Sequence, residues 1–393
     1  MSVRKRVYRY GRKQVKRQRL PVGLIAGAVV LVLLLGAASF AVVKMRSSAN
    51  ARPLAQSSVP YANDVEKQAV SELHDFGSWL KQYNVKAFVG ELGWPAGADS
   101  AQWNGVAKRW FQAADSYDMW TTVWAAGSWW ENYPLTVYAR QGKTGGLATA
   151  NPQATVIEKY RKNEYGDRRG VNLAGMEFGT TIPGTAGIDY FYEPLSSFVY
   201  LKERGIYTVR LPFSWERVQP QLSGPLAKQE ITAIRNMLDA ANKNDIGVVL
   251  DLHNYGAYNH NGTQYKLGDG RLMDAHLSDV WVKLSREFKD HPAVIGYGIM
   301  NEPHDLPAGS YESPAKNWEA VSQVTVTALR KAGDKQLIMV AGYDWSSLAR
   351  WTNNHPSAWI NDPAQNIRYE AHHYWDKDGS GTYLQTFEQE TAR

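Results

Sequence analysis

From about residue 62 onward the chain repeats one unit: a short apolar run, a polar or aromatic residue where the run stops, and usually a stretch with helical spacing. The runs at 85–89, 121–126, 170–176, 207–212, 246–252, 294–300, 336–341 and 367–372 read as strands. Helices are expected at 63–83, 102–116, 152–160, 228–243, 277–289 and 317–332. In the first of these, Val65, Ala69, Leu73, Phe76 and Leu80 recur on one face of a helix. The Gly- and Thr-rich segment 140–150 reads as a loop. Alternation of strand and helix calls for a parallel sheet, and eight such units fit a (β/α)8 barrel. No repeat of short period competes with that reading.

Glu91, Trp124, Glu177, Arg210, His253, Asn301-Glu302, Asp344 and His372–Tyr374 all sit where a run ends. In a barrel those ends meet on one rim, which is where active sites lie. The rim offers glutamates, histidines, an arginine, a tyrosine and many tryptophans. The chain has no Cys, no His-x-x-x-His pair and no Gly-rich loop followed by Lys, so thiolate, metal and phosphate-loop chemistry have no foothold. Two carboxylates between aromatic walls suit glycosidic bond cleavage: one donates a proton to the leaving oxygen while the other attacks or activates water. The 15 Trp and 22 Tyr supply flat surfaces for sugar rings. This mechanism requires no metal or other cofactor.

The net charge of +6 is unevenly placed. Residues 1–46 hold eleven Lys/Arg and no Asp/Glu, which leaves 33 basic against 38 acidic residues in the remainder. The folded part is mildly acidic and lacks the basic face that nucleic-acid binding needs. Val22 to Val43 is uncharged over 22 residues, with Ser39 its one polar side chain. At about 1.5 Å per residue such a helix crosses a hydrocarbon core of about 30 Å. Nine Lys/Arg precede it and Lys44 and Arg46 follow closely, so the positive-inside bias keeps the N-terminus in the cytoplasm. The expectation is a basic cytoplasmic tail (1–21), a transmembrane helix (22–43) held by the lipid bilayer, a linker (44–61) and an extracellular or periplasmic domain (62–393). The competing reading is a signal peptide cut near Ala37–Ala41 and a secreted domain, although the run exceeds the roughly 7–15 residues of a signal core.

The segment YGIMNEPH (297–304) resembles the Asn-Glu-Pro motif of glycoside hydrolase family 5, a family of retaining TIM-barrel hydrolases. GVNLAGMEFG (170–179) resembles that family's first strand, TVRLPFSWERVQP (208–220) its second with Arg210, and VVLDLHNYGAY (248–258) its third with His253. YEAHHYWDKDGSGTY (369–383) resembles its sixth with His372 and Tyr374, FVGELGWP (88–95) its seventh with Glu91, and TTVWAAGSWW (121–130) its eighth with Trp124. The resemblance covers residues 62–393 and is nearest to endo-β-1,4-glucanases whose sixth strand ends His-x-Tyr before Asp-x-Gly-Ser-Gly-Thr. The order departs from the family's, because the seventh and eighth strands precede the first six. That implies a circular permutation, with the usual termini joined through roughly 140–170. Closure depends on neighbours in space, and termini in exposed loops are tolerated. A fragment joined to an unrelated N-terminal piece is the alternative, but the pieces complement one another without overlap.

The resemblance implies Glu302 as acid/base and Glu91 as nucleophile. It implies that Asn301 binds the sugar 2-hydroxyl, that Arg210 and Tyr374 contact Glu91, and that His253 and His372 bind hydroxyls or support the glutamates. Trp124 becomes a sugar platform, and His304 supports Glu302. Trp94, Trp129, Trp130, Trp215, Trp345 and Trp375 are groove candidates, each equally suited to packing. Glu177, Glu216, Asp251 and Asp344 read as structural hydrogen-bonding residues, Glu177 being the rival acid. The expected activity is retaining hydrolysis of β-1,4-glucan by a monomer. β-Mannanase or transglycosylase action is one alternative, and a non-catalytic surface carbohydrate-binding protein is another.

Overall fold

The computed structural model describes residues 60–142, 144–159 and 168–392. The expected tail, the membrane span and nearly all of the linker lie outside the described residues. Among the described residues no helix is long and apolar enough to cross a membrane.

Eight parallel strands form the barrel: β1 (Ala87–Gly93), β2 (Trp120–Ala126), β3 (Arg169–Leu173), β4 (Thr208–Phe213), β5 (Gly247–Leu252), β6 (Val294–Gly298), β7 (Ile338–Ala341) and β8 (Ile367–Tyr374). Each pairs with its sequence neighbours, and β1 closes the ring by pairing with both β8 and β2. Closure leaves no open edge. The longer helices between strands are α1 (Asp64–Tyr83), α2 (Ser100–Asp115), α3 (Ser196–Glu203), α4 (Lys228–Lys243), α5 (Asp274–Phe288) and α6 (Pro314–Lys331). The Asn63 side chain caps α1 by accepting from Glu66 N, and Asn84, at φ 52°, ends it in the left-handed conformation that asparagine tolerates. Ser313 caps α6 by accepting from Lys316 N, with Pro314 in the first turn, where the missing N–H costs nothing.

Strand side chains alternate between the barrel's two faces. Val89, Val209, Leu211, Val248, Leu250, Ile338 and Val340 face outward and pack with Leu73, Trp110, Trp281 and Trp318 from the helices. Phe88, Val249 and Met339 face inward and form a separate apolar floor with Leu337. Two residues further along the strands, the interior turns polar with Asp251 and Glu370, joined at that level by Arg210 and Asn172. The sequence pattern marks the eight strands and five of the six longer helices to within three residues at nearly every boundary, and misses α3 (Ser196–Glu203). It misses a hairpin, in which Tyr138–Arg140 pairs antiparallel with Leu147–Ala150 inside the expected loop. Tyr138 and Leu147 are buried there as part of the main core, which the hairpin helps to seal. The helix expected at 152–160 is reduced to Ala154–Ile157.

Candidate active site

An irregularity in β1 builds the site. Its register against β8 slips between Val89 and Glu91, so that Glu91 pairs with His372. Strict alternation from Phe88 would point Glu91 outward; the slip turns it into the barrel mouth, as bulges beside functional sites do. The distorted backbone is pinned at the Gly90 carbonyl, which accepts from Thr122 Oγ1 at 2.6 Å and Asn172 Nδ2 at 2.9 Å. On the opposite strand Glu302 follows β6 with φ 42°, a left-handed conformation costly for a residue with a Cβ and typical of functional positions.

Glu91 and Glu302 meet around His372. One carboxylate oxygen of each and a ring nitrogen of His372 lie within 4.8 Å of one another. Glu91 Oε1 accepts from Arg210 Nη1 at 3.0 Å, and Glu91 Oε2 accepts from the Tyr374 hydroxyl at 2.8 Å. His372 Nδ1 lies 2.7 Å from Glu302 Oε1 and 3.7 Å from Glu91 Oε2. Burial alone would strip the proton from this ring, but Glu91, Glu302 and Glu370 around it raise its pKa to about 10. Arg210 is fully buried and donates also to Asn172 Oδ1 at 3.0 Å and Asn301 Oδ1 at 2.7 Å. Against its own burial, Asp251, Glu370, Glu91 and Glu302 hold it charged.

His253 is neutral. Burial drives its pKa down to about 3 despite Glu91. Its Nδ1 lies 2.8 Å from Asp251 Oδ2 and its Nε2 3.1 Å from Asn301 Nδ2. The ring therefore donates from Nδ1 and accepts at Nε2.

The mouth is a cavity of about 610 Å³ lined by both glutamates, His253, His372 and Tyr374, with Trp124, Tyr133, Tyr255, Trp345 and Trp375 as aromatic walls. Trp124 stacks on His253 with centroids 5.6 Å apart and planes 19° apart. Trp345 is 44% exposed and stacks on His304 at 3.5 Å. His304 Nδ1 bonds Asp305 Oδ2 at 2.8 Å, so this ring orients Trp345; the expected support for Glu302 comes instead from His372.

Trp215 is corrected from groove candidate to core residue: it is fully buried, donates to Gln219 Oε1 and meets Tyr258 edge-on. Trp94 is also fully buried, stacked behind Trp375. Trp129 and Trp130 stack on Phe178 and Tyr133, outside the cavity wall. Glu216 holds Ser214, Asn254 and the Asn259 amide, and Asp344 pairs with Arg350, both structural arrangements. Glu177 accepts from Gly175 N and does not line the cavity. Asp251 belongs to the buried network, as do Asn172 and Glu370, which sequence reading passed over.

Chemically the centre holds two carboxylates at one mouth in unlike surroundings. Glu91 is clamped by a guanidinium and a phenol, and Glu302 shares a proton-bearing imidazole and is partly open to solvent. Carboxyl groups of a retaining glycosidase stand about 5–5.5 Å apart, whereas inverting pairs need at least about 6.5 Å. Here one oxygen of Glu91 lies within 4.8 Å of one oxygen of Glu302. Glu91, Glu302 and His372 could geometrically hold a cation, but Arg210 and His372 already compensate both carboxylates.

Residues 166–393 match the model of the family Cellulase (glycosyl hydrolase family 5). A manganese-dependent endoglucanase of Phanerodontia chrysosporium is 30% identical over 221 residues, 54% of this chain and 54% of the relative. Endoglucanase EG-II of Hypocrea jecorina is 29% identical over 238 residues, 55% and 54% of the two chains. The chain spans about half the length of the curated relatives it matches. Among solved structures, an endo-β-1,4-glucanase of Xanthomonas axonopodis pv. citri is 39% identical, covers 56% of this chain and 68% of its own, and superposes with a TM-score of 0.50. Endoglucanase Cel5A of Pseudomonas stutzeri is 38% identical, covers 58% and 68%, and reaches 0.52. The Pseudomonas enzyme has also been solved with cellobiose.

Proposed function

We propose, from the premise that this chain belongs to glycosyl hydrolase family 5, that it cleaves β-1,4-glucan internally with retention of configuration. The observation that carries this reading is the Glu91/Glu302 pair at one mouth, with His372 between them. In the first step Glu91 attacks the anomeric carbon while Glu302 gives a proton to the departing oxygen; in the second, Glu302 takes a proton from water, which displaces Glu91. Arg210 and Tyr374 hold Glu91 in place by a hydrogen bond to each of its oxygens, and Asn301, beside Glu302 in the chain, is the group assigned to the 2-hydroxyl of the sugar being cut. Trp124, in the wall of the same mouth, is the platform under that sugar. Relatives named as endoglucanases, and solved in one case with cellobiose, support a cellulose-type substrate.

The test is the 47–393 chain assayed on cellulose derivatives, mixed-linkage glucan and mannan, with Glu91→Gly beside it. Reducing ends from the glucans, and azide-rescued turnover of Glu91→Gly with inverted stereochemistry, are expected. Release from mannan alone would move the specificity to mannan. Silence on all three would leave a carbohydrate-binding protein.

We further infer that the barrel is circularly permuted relative to the family and anchored by residues 22–43. The family match begins at residue 166, after β1 and β2, which carry Glu91 and Trp124. Reordering the gene so that 62–160 follows 393 should give an active enzyme that matches the family along its whole length. The anchor reading rests on the uncharged run and its basic flank. Carbonate-resistant membrane association of the full chain, lost in the 47–393 chain, is the expected outcome.

A further inference from the structure

We propose that Glu370 is a positioning residue for both catalytic carboxylates, acting through Arg210 and His372; the proposal rests on the Glu91/Glu302 reading. Glu370 is fully buried on β8. Its Oε1 lies 2.9 Å from Arg210 Nη2 and 3.4 Å from His372 Nε2. The opposite nitrogens of those two cations serve the reaction: Arg210 Nη1 holds Glu91 Oε1 at 3.0 Å, and His372 Nδ1 holds Glu302 Oε1 at 2.7 Å. One oxygen thus tethers the cation behind the nucleophile to the cation behind the acid/base.

The barrel makes room for this carboxylate. A Cβ at Gly90 would stand 2.1 Å from Glu370 Oε1, and one at Gly298 would stand 3.4 Å from Glu370 Oε2 and 2.9 Å from Asp251 Oδ1. Neither glycine has a positive φ, so backbone conformation does not demand glycine at these places; space does. Two strands, one of them immediately before Glu91, give up side chains to admit a charge.

Hydrogen bonding explains what the charge does. Both ring nitrogens of His372 face carboxyl oxygens, Nδ1 that of Glu302 and Nε2 that of Glu370. Its raised pKa, about 10, keeps a proton on each nitrogen, so Nε2–H donates to Glu370 and Nδ1–H to an accepting oxygen of Glu302. Glu370 fixes the proton on Nε2 and the plane of the ring, leaving Nδ1–H directed at Glu302. The groups facing this centre are Glu91 from β1, Arg210 from β4, Asp251 and His253 from β5, Glu302 beyond β6, and His372 on β8 itself. Removing the Glu370 charge lowers the proton affinity of every acid among them, so both limbs of the pH–rate profile move to lower pH.

The experiment compares Glu370→Gln and Glu370→Asp with the parent in the full chain, on a chromogenic cello-oligosaccharide. Glu370→Gln should lose activity about 10- to 100-fold and shift both limbs of kcat/KM down by about one pH unit; Glu370→Asp should restore part of the profile. A folded Glu370→Gln with unmoved limbs overturns the proposal, because a packing role would lower activity without moving them. Should Glu370→Gln fail to fold, ¹⁵N NMR of the parent decides, with His372 assigned through His372→Asn. Both ring nitrogens protonated at neutral pH is the expected result, and a neutral single tautomer overturns the proposal. Glu91→Gln on the chromogenic substrate and Glu302→Gln on an unactivated cello-oligosaccharide run in parallel. Parent-like turnover in either would remove the catalytic pair itself, whereas loss in both with an unshifted Glu370→Gln removes Glu370 alone.

Discussion

Arg210 Nη1 donates to Glu91 Oε1 at 3.0 Å with the guanidinium wholly closed to solvent and the carboxylate nearly so. The same planar fork reaches Asn172 and Asn301 and pairs with Asp251 and Glu370 at 2.9 Å. A lysine keeps the charge but not the fork. Arg210→Lys should therefore lower kcat by about 100-fold on a soluble cello-oligosaccharide with a smaller change in KM. Arg210→Ala, which leaves Asp251 and Glu370 buried without their cation, should cost about 3–5 kcal/mol in urea unfolding. An Arg210→Lys enzyme within about threefold of the parent would remove Arg210 from the nucleophile's support.

His372 makes stability depend on alkali. Its folded pKa, about 10, lies above the ordinary 6.5, because Glu91, Glu302 and Glu370 outweigh burial. A raised pKa contributes stability that is complete below about 6.5 and lost as pH climbs through about 10. The urea midpoint of the parent should exceed that of His372→Asn most at pH 6, and the gap should close towards pH 10. A gap constant across that window would mean that the ring is not charged in the folded state.

The barrel was legible because every strand is apolar enough to be seen and each ends in a marked residue. Glu302, Arg210, His253, His372 and Tyr374 are each named by their places in such runs. Glu370 was passed over, although Glu370, His372 and Tyr374 alternate along one face of β8, because a single glutamate before a His-rich stretch does not announce burial. The slip at Gly90 was not legible, as only pairing with β8 reveals it. Trp215 shows the limit of residue type: an indole just after a strand end can face the mouth or the helix layer, and sequence carries no sign of which. Orientation also decides His304, which stands two residues after Glu302 but whose ring lies on Trp345.

Trp345 and Trp215 should separate cleanly on mutation. Trp345 is exposed at the cavity edge, so Trp345→Ala should raise KM for long glucans and leave the melting temperature within about 2 °C. Trp215 has no exposed surface, so Trp215→Ala should cost about 3–5 kcal/mol of stability, while KM of the folded enzyme stays near the parent's. The reverse pattern would return Trp215 to the groove.

Glu177 resolves the rival-acid question through pH. Burial raises its pKa to about 8, against the pull of the Gly175 amide and with help from Asp251 and Glu91. Its Oε1 is buried without a hydrogen-bond partner. The neutral form is the one the fold accepts, so its contribution is complete below about 4.5 and lost as pH rises through about 8. Glu177→Gln keeps an oxygen for Gly175 N and never ionises. The variant should gain on the parent in urea midpoint as pH rises from 5 to 9 while its kcat stays within about threefold. Glu302→Gln should instead lose turnover on substrates with poor leaving groups, where proton donation limits the rate. A collapse of activity in Glu177→Gln equal to that of Glu302→Gln would make Glu177 the acid and overturn the assignment of Glu302.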